Sequence, residues 1–285
     1  MPIADALRTD ALGICLDQLR RLDHDRYLGV LLAPRESRDA LVALHAFNIE
    51  IARVREAVSE AMLGEIRLEW WREAVEALAA GQARGHEAAL AMDQTGVVKK
   101  LGAEPLIALI DARARDLDDE PFTDMAALEA YALGTSSALM KMAAAILGGR
   151  ANHPSLAPAG IAYALTGLLR ALPVHASQGR LYLPLDMLRT YDVDPHTVFS
   201  GEMSAGLGLA IRDVASAARR HLAQARETMR PTDRRTMAAL LPAALCELYL
   251  DQIETPGFDP FRQTTEMPAF RLQLRLLAAR WRSRI

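Results

Sequence analysis

Apolar residues recur at intervals of three and four along most of this 285-residue chain, and no stretch alternates like a β-strand for long. The pattern is clearest from residue 37 to residue 58, where Pro34 precedes the segment and Ser37 is the predicted N-cap. One face of that segment carries Ala40, Leu44, Phe47, Ile51, Val54 and Val58. Because this spacing is that of an α-helix, the sequence predicts an all-α fold.

Further helices are predicted wherever the same spacing returns between gaps that contain Pro and Gly. They cover residues 3–22, 61–79, 105–117, 125–147, 155–172, 204–229, 234–255 and 267–282. The main gaps fall at 81–85, 148–154, 195–201 and 256–260. No gap is long or biased enough to act as a linker, and no internal repeat is visible. We therefore expect a single domain, 1–285.

Composition and charge exclude several classes of protein. The chain is 51% hydrophobic and 24% charged, as globular proteins usually are, and its net charge of -3 predicts no general attraction to nucleic acid. Cys15 and Cys246 stand apart, without the neighbouring Cys or His residues of a zinc site. The N-terminal residues lack the basic start and long apolar core of a secretory signal.

The most apolar stretch, residues 156–169, is interrupted by Pro158. A bilayer-spanning helix needs ~20 apolar residues, so we expect a buried core helix here instead. The sequence therefore predicts a cytoplasmic protein that is soluble, or at most attached to the surface of the inner membrane.

Four short strings, in order along the chain, resemble the squalene and phytoene synthases. They are Asp-Arg-Tyr-Leu at 25–28, Ala-Leu-His-Ala-Phe at 43–47, Leu-Glu-Trp-Trp-Arg-Glu at 68–73 and Gly-Arg-Leu-Tyr-Leu-Pro at 179–184. This resemblance implies an isoprenoid-synthase-type helical bundle around a central cavity. In the family, aspartates on two helices hold magnesium ions, which help the diphosphate leave when two prenyl diphosphates condense head to head.

The first aspartate motif is degenerate in this chain. The family pattern resembles A-F-C-R-x-x-D-D-x-x-D, and its aspartate positions correspond here to Ala52, Arg53 and Glu56. An arginine cannot be a metal ligand and repels a cation. We therefore expect no magnesium site, although His45 and Asn48 are predicted to line the same side of the helix.

Two interpretations of these polar residues stay open at this stage. His45, Asn48 and Glu56 are predicted to lie near one another and to line a remnant cavity, but solvated or internally hydrogen-bonded side chains are the favoured interpretation. Arg55 is predicted to lie beside the same cavity, where it either contacts an anion directly or pairs with a neighbouring acid such as Glu56 or Glu60.

The second aspartate motif is degenerate as well. The family pattern resembles N-x-x-R-D-x-x-x-D-x-x-x-G-R; Gly167 takes the place of its asparagine, and Ala171 and His175 take the places of its two acids. Pro173 lies between them, and proline inside a helix removes a hydrogen bond and clashes with the preceding turn. The helix is therefore predicted to kink or end near Leu172.

Other residues of the second motif resemble positions that the family keeps. Arg170, Arg180 and Tyr182 resemble residues near the diphosphate end of the cavity, but a structural role at the turn between helices is the favoured interpretation. His175 has no set of partners that would make it a metal ligand or a base, so a structural role is favoured for it too.

The set of replacements resembles a non-catalytic branch of the same superfamily, which includes the mitochondrial complex I assembly factor related to phytoene synthase. The matching patterns are A-F-N-x-E-x-A-x-V from residue 46 and L-R-A-x-P-x-H from residue 169. The resemblance implies assembly of the respiratory NADH dehydrogenase through a protein partner, a complex I subunit or assembly intermediate. It implies no catalytic residue, metal or cofactor.

Two alternative functions remain open. One is a prenyltransferase that condenses prenyl diphosphates head to head and needs magnesium. The other is a protein that binds an isoprenoid or lipid in the cavity without chemistry.

Three further groups of residues have two interpretations each. The apolar side chains of 61–79 are predicted to be core rather than a prenyl-binding surface, and they comprise Met62, Leu63, Ile66, Leu68, Trp70 and Trp71. The last helix is predicted to bury Phe270, Leu274, Leu277 and Trp281, with docking on an anionic membrane as the second interpretation, since Arg271, Arg275, Arg280, Arg282 and Arg284 lie nearby. The acids Asp116, Asp118, Asp119 and Glu120 are predicted to be solvated loop residues rather than a metal cluster.

Overall fold

The computed structural model describes residues 3–229 and 234–285, and this part of the chain is helical and contains no β-strand. The predicted all-α class is therefore confirmed. In chain order the helices are α1 Ile3–Leu22, α2 His24–Leu32, α3 Arg35–Ala52, α4 Ala61–Ala79, α5 Glu87–Thr95, α6 Val97–Leu101, α7 Glu104–Arg113, α8 Met125–Ala132, α9 Ala138–Ile146, α10 Leu156–Arg170, α11 Leu172–Ser177, α12 Leu185–Thr190, α13 Pro195–Phe199, α14 Ala205–Thr228, α15 Arg234–Leu240, α16 Cys246–Ile253 and α17 Ala269–Arg282.

Several predicted helices are confirmed within one or two residues. The bounds of α1 and α4 agree with the predicted segments. α14 lies within the predicted range 204–229, and Ser204 is its N-cap, with a hydroxyl that accepts a hydrogen bond from the Leu207 amide at 3.1 Å. Six short helices (α2, α5, α6 and α11 to α13) were not predicted, and α13 fills an expected gap. Helices of five to nine residues show too few turns for an apolar period to be recognised.

The predicted helix over 37–58 is wrong at both ends. Helix α3 begins at Arg35 with Pro34 at the N-cap position, so Ser37 lies inside the helix and does not cap it. The helix ends at Ala52, and a short 3₁₀ turn follows at Arg55–Ala57. Val54 and Glu56 therefore do not belong to α3.

Three other long predicted helices are interrupted rather than continuous. Each contains a stretch with a tighter or wider helical turn, which apolar spacing alone does not reveal. The 3₁₀ turns lie at Ala114–Leu117 and Leu241–Leu245, and a π-helical turn lies at Leu133–Ser137.

The chain divides into two compact units, each with one central helix. The first unit comprises Met1–Asp118, Ala138–His153 and Pro231–Leu241. In it α3 packs against α1, α5 and α9, and the side chains of Leu44, Phe47 and Ile51 are almost completely buried. The buried thiol of Cys15 on α1 belongs to this unit.

The second unit comprises Asp119–Ser137, Pro154–Arg230 and Pro242–Ile285, and it is organised by α10. As predicted for this apolar stretch, α10 is a buried helix; it packs most extensively against α14 and also contacts the π-helical turn. The backbone of α10 lies close to that turn at Gly160. A Cβ atom on Gly160 would lie 2.3 Å from the Cα atom of Ser137, so only glycine fits.

Two predicted core faces are exposed instead. On α4, Leu68 and Trp71 are buried, but Met62 and Ile66 are 63% and 60% exposed, and Leu63 is exposed too. On α17 the buried residues are Leu272, Leu276 and Ala279, whereas the apolar residues predicted to be core all face outward: Phe270, Leu274, Leu277 and Trp281. Both helices have two apolar faces, and the sequence period could not tell which of them is buried.

None of the helices in the described ranges has the length and the apolar character that crossing a bilayer would require.

Two alanine substitutions in α10 should have opposite effects on stability. Gly160→Ala forces the new methyl group into the backbone at Ser137, so we expect a destabilisation of at least about 1–3 kcal/mol. Gly167→Ala meets no atom within 4 Å, and replacing a helical glycine should stabilise the fold by about 0.5–1 kcal/mol.

Urea denaturation of the purified variants measures both effects. Because Gly167→Ala is the same substitution in the same helix, it is the control for helix propensity. A Gly160→Ala variant as stable as the wild type would contradict the close packing of α10 on the π-helical turn.

Candidate functional site

The first motif begins with two polar side chains on the buried face of α3. His45 and Asn48 are 7% and 3% exposed. The Asn48 carboxamide oxygen accepts a hydrogen bond from Arg113 at 3.4 Å, and Arg113 also pairs with Asp116 at 3.2 Å. Asn48 is therefore internally hydrogen-bonded, as the favoured interpretation predicted.

His45 is held as a neutral imidazole. Its burial lowers the pKa from 6.5 to about 3, and the positive charge of Arg26 acts in the same direction. Its Nδ1 atom has no hydrogen-bond partner among the described residues. An imidazole in these surroundings cannot take up a proton near neutral pH, so it is unsuited to acid–base chemistry there.

The rest of the first motif lies where α3 ends. Ala52 is the last residue of α3, and Arg53 follows as its C-cap. The Arg53 guanidinium donates from Nε to the Glu56 carboxylate at 3.0 Å. Half-buried Arg55 donates to the Val58 carbonyl oxygen at 3.4 Å. Because α3 stops before Glu56, this acid does not share a helix face with His45, contrary to the prediction.

These residues do not fit the magnesium site that the resemblance implies. Of the three aspartate positions only Glu56 is acidic, and its carboxylate is engaged by Arg53. A magnesium ion here would have to displace a guanidinium group from its carboxylate and lie beside that positive charge. Throughout residues 3–229 and 234–285, no three His, Cys, Asp or Glu side chains are grouped so that they could hold a metal ion.

The end of α3 instead borders a surface cleft of about 380 Å³ within the first unit. Arg53 and Glu56 are the only predicted site residues that line it. The complete lining is Glu50, Arg53, Val54, Glu56, Ala57, Arg67, Trp70, Trp71 and His86. His45, Asn48, Ala52 and Arg55 lie outside this lining.

One wall of the cleft is aromatic. Trp71 contacts Trp70 with ring centroids 4.9 Å apart and His86 with centroids 4.8 Å apart. Arg84 places its guanidinium 6.0 Å from the Trp70 ring centroid. Arg67 is exposed and forms no ion pair within the described part of the chain.

His86 is fixed in one orientation by hydrogen bonds at both ring nitrogens. Nδ1 accepts from the Ala88 amide at 3.2 Å, at the beginning of α5, which leaves Nε2 to face the Glu50 carboxylate at 3.5 Å. Gln18 also donates to Glu50. The hydrogen bond from His86 lowers the pKa of Glu50, and the one from Gln18 adds to the shift. Because the carboxylates of Glu50 and Glu56 are both engaged by neighbouring side chains, the cleft is suited to binding rather than to proton transfer.

The second motif lies in the second unit, at a break between two helices. α10 ends at Arg170, Ala171 is its C-cap, and Pro173 lies in the first turn of α11. The predicted helix end near Leu172 is therefore confirmed. The space beside Gly167 is open, since a Cβ atom there would meet nothing within 4 Å.

The remaining residues of the second motif make aromatic and cation–π contacts. The rings of His175 and Tyr182 lie 4.6 Å apart, and Phe122 and Tyr131 lie next to Tyr182 at 6.1 and 6.3 Å. These contacts support the structural role that was favoured for His175 and Tyr182.

Arg170 and Arg180 occupy the two ends of this segment. The Arg170 guanidinium stacks over the Tyr249 ring at 3.6 Å from its centroid. The backbone amide of Arg180 donates to the His175 carbonyl at 2.9 Å and so closes the turn after α11.

The acidic run after α7 is only partly solvated. Asp118, Asp119 and Glu120 are exposed, as predicted, and Asp118 pairs with Arg115 at 3.1 Å. Asp116 is buried and pairs with Arg113, so the prediction of a solvated side chain is wrong for this residue. A guanidinium three residues earlier on the same turn makes this burial possible.

Sequence reasoning missed most of the cleft. Glu50 and His86 are 36 positions apart, and their pairing depends on the loop between α4 and α5. Trp70 and Trp71 were identified, with core as the favoured interpretation. Trp71 does pack on Phe47, at 5.5 Å between ring centroids, while Trp70 is only half-buried and lines the cleft.

The all-α fold agrees with the comparisons with known proteins. The family model for squalene/phytoene synthase matches residues 19–281, and the chain belongs to this family. A solved structure of a dehydrosqualene synthase in complex with ligand has the same fold, with a TM-score of 0.80 at 15% identity over 96% of each chain.

Among curated relatives the chain is similar to two kinds of protein. It is 32% identical to "NADH dehydrogenase (ubiquinone) complex I, assembly factor 6" of Bos taurus over 272 residues, 95% of this chain and 82% of that protein. It is 25% identical to the phytoene synthase of Arthrospira platensis over 303 residues, 98% of this chain and 96% of that protein.

The buried neutral state of His45 predicts an acid-sensitive stability. Between pH 3 and 6.5 the unfolded chain binds a proton that the folded chain does not, so stability falls as the pH drops below 6.5. We expect His45 to contribute a loss of about 2 kcal/mol at pH 5 relative to pH 7.

Urea denaturation of the wild type and of His45→Gln at both pH values tests this contribution. The variant should lose less stability than the wild type on acidification. His196→Gln, at an exposed histidine, is the control and should behave like the wild type. An equal loss in His45→Gln and the wild type would contradict the assignment.

Proposed function

We propose that this protein is a non-catalytic member of its family that assists the assembly of respiratory complex I. It would act by binding a protein partner, a complex I subunit or an assembly intermediate, in the cytoplasm at the surface of the inner membrane. The similarity to complex I assembly factor 6 over 95% of the chain supports this assignment over the more distant phytoene synthases.

The observation that carries the non-catalytic part of the proposal is the Arg53–Glu56 ion pair. At the positions where a prenyltransferase of this family gathers magnesium, this chain has one acid and an arginine bonded to it. Ionisation of a prenyl diphosphate needs concentrated positive charge held by carboxylates. A guanidinium that neutralises the remaining carboxylate removes this means of holding the ions.

We place the contact with the protein partner on the exposed face of α4. Met62, Ile66 and Trp70 recur at intervals of four, which puts them in one row that leads to the cleft. Exposed Arg67 lies beside this row. An apolar row next to an aromatic cleft and a basic side chain is suited to an amphipathic, acidic segment of another protein.

The absence of catalysis can be tested with purified protein. Incubated with magnesium and farnesyl or geranylgeranyl diphosphate, it should release no pyrophosphate above a protein-free blank, because the first motif holds no metal-binding set of carboxylates. An active phytoene synthase in the same assay is the positive control. Steady turnover by this protein would establish the prenyltransferase alternative.

The assembly role can be tested in the organism that encodes the chain. Deletion of the gene should lower the amount of assembled complex I severalfold, measured by native gel electrophoresis and by NADH–quinone oxidoreductase activity of membranes. Succinate oxidation should be unchanged. An unchanged complex I content together with a loss of carotenoids or hopanoids would contradict the proposal.

Complementation of the same strain locates the partner surface. Ile66→Glu should fail to restore complex I, because a charge buried in an interface without a partner is costly. Leu209→Glu is the matched control, since Leu209 is also an exposed apolar residue of a helix and lies in the other unit. Full rescue by Ile66→Glu would exclude this face of α4.

A further inference from the structure

The outward face of α17 is a continuous apolar stripe. It consists of Phe270, Leu274, Leu277 and Trp281, which are between 50% and 86% exposed. Their spacing of four, three and four keeps them within about 60° around the helix axis, opposite the buried residues Leu272, Leu276 and Ala279. Single exposed apolar residues are common on soluble proteins, but an unbroken row of four large ones marks an interaction surface.

Arginines flank the stripe on both sides. At about 100° per residue, Arg271 and Arg282 lie along one edge and Arg280 along the other. α17 contains no acidic residue, although the chain as a whole carries a net charge of -3. Arg271 and Arg282 form no ion pair with any of the described residues. The acid closest to the stripe in sequence is exposed Glu266, which precedes the helix.

Hydrogen bonds to neighbouring helices hold α17 in place, so its apolar stripe lies on a fixed part of the structure. Arg275, on the inner side of α17, donates to the Ala244 carbonyl at 3.0 Å and to the Glu247 carboxylate at 2.7 Å. Arg226 of α14 donates to Glu247 at 2.9 Å and to the Ile285 carbonyl at 2.8 Å. These bonds fix both the rotation of α17 and the residues that follow it.

We propose that α17 docks the protein on the surface of an anionic lipid bilayer, with its axis in the membrane plane. The stripe would enter the boundary between head groups and acyl chains, and the flanking arginines would extend to the lipid phosphates. Trp281, the most exposed residue of the stripe, would lie at the interface, where tryptophan is enriched. Basic charge on both edges without acids favours lipid phosphates over a protein groove, which usually offers both signs of charge.

This assignment deepens the proposed function by naming the surface that contacts the membrane. Vesicle binding and complex I content are separate measurements, so either proposal can fail while the other stands.

Co-sedimentation with vesicles tests the docking surface. The full-length protein should bind phosphatidylcholine vesicles that contain phosphatidylglycerol at least about tenfold more strongly than phosphatidylcholine alone, and added salt should weaken the binding. Binding should blue-shift the tryptophan fluorescence, and Trp281→Gln should remove the shift while Trp70 and Trp71 remain. No binding to the anionic vesicles would overturn the proposal.

Two double variants separate the apolar and the electrostatic contributions. Leu274→Gln/Trp281→Gln and Arg271→Gln/Arg282→Gln should each reduce anionic vesicle binding by about tenfold or more, and glutamine preserves helix propensity. Leu209→Gln, on an exposed face of α14 in the same unit, is the control. Unchanged melting temperatures will show that the variants fold.

The competing occupant of the stripe is a second copy of the chain. A concentration-dependent dimer that Leu274→Gln/Trp281→Gln dissociates, without vesicle binding by the wild type, would overturn the lipid assignment. Vesicle binding that this double variant leaves unchanged would also overturn it.

Discussion

Each unit of this protein depends on the burial of one central helix. In the second unit, α10 is apolar on almost every side, so it is stable in water only when α14 and the π-helical turn cover it. Gly160 permits the closest of these contacts. In the first unit α3 is the central buried helix, and His45 and Asn48 are buried together with its apolar side chains. The two degenerate motifs lie at the ends of these helices, so their geometry follows from where each buried helix stops.

The two degenerate motifs differ from the family pattern mainly in charge pairing. At the end of α3 the guanidinium of Arg53 neutralises the acid that remains. At the end of α10, Pro173 separates Ala171 from the turn that carries His175, and the His175 ring contacts Tyr182 instead of a ligand. The family's fold is kept while the positions that resemble its aspartates carry other residues.

The sequence predicted those parts of the fold that depend on long apolar periods. α1, α4 and α14 have at least five turns each, and their bounds agree closely with the predictions. Three of the short helices, α2, α5 and α13, begin at a side-chain cap, which is Asp23 in the case of α2. The end of α3 at Ala52 could not be predicted, because the apolar spacing continues through Val54 and does not register a 3₁₀ turn.

Only those residues of the candidate site that belong to the first motif could be predicted from the sequence. Arg53 and Glu56 were identified as replacements of aspartates, and they do line the cleft. Glu50, Arg67 and His86 come from three separate elements, and only the packing of α3, α4 and α5 brings them together. For a related reason, core was the favoured interpretation for the faces of α4 and α17 that are exposed. Both helices have apolar residues on two sides, and the choice of the buried side is made by tertiary contacts.

Glu247 receives hydrogen bonds from two guanidinium groups, one from α14 and one from α17. The hydrogen bond from Arg226 lowers the pKa of this carboxyl and so favours its charged form. Loss of Glu247 alone would leave two partly buried cations facing each other, and loss of either arginine would leave the other to balance the charge. The residues at 226, 247 and 275 therefore form one charge-balanced group, in which a substitution of any one member changes the electrostatic balance of the other two.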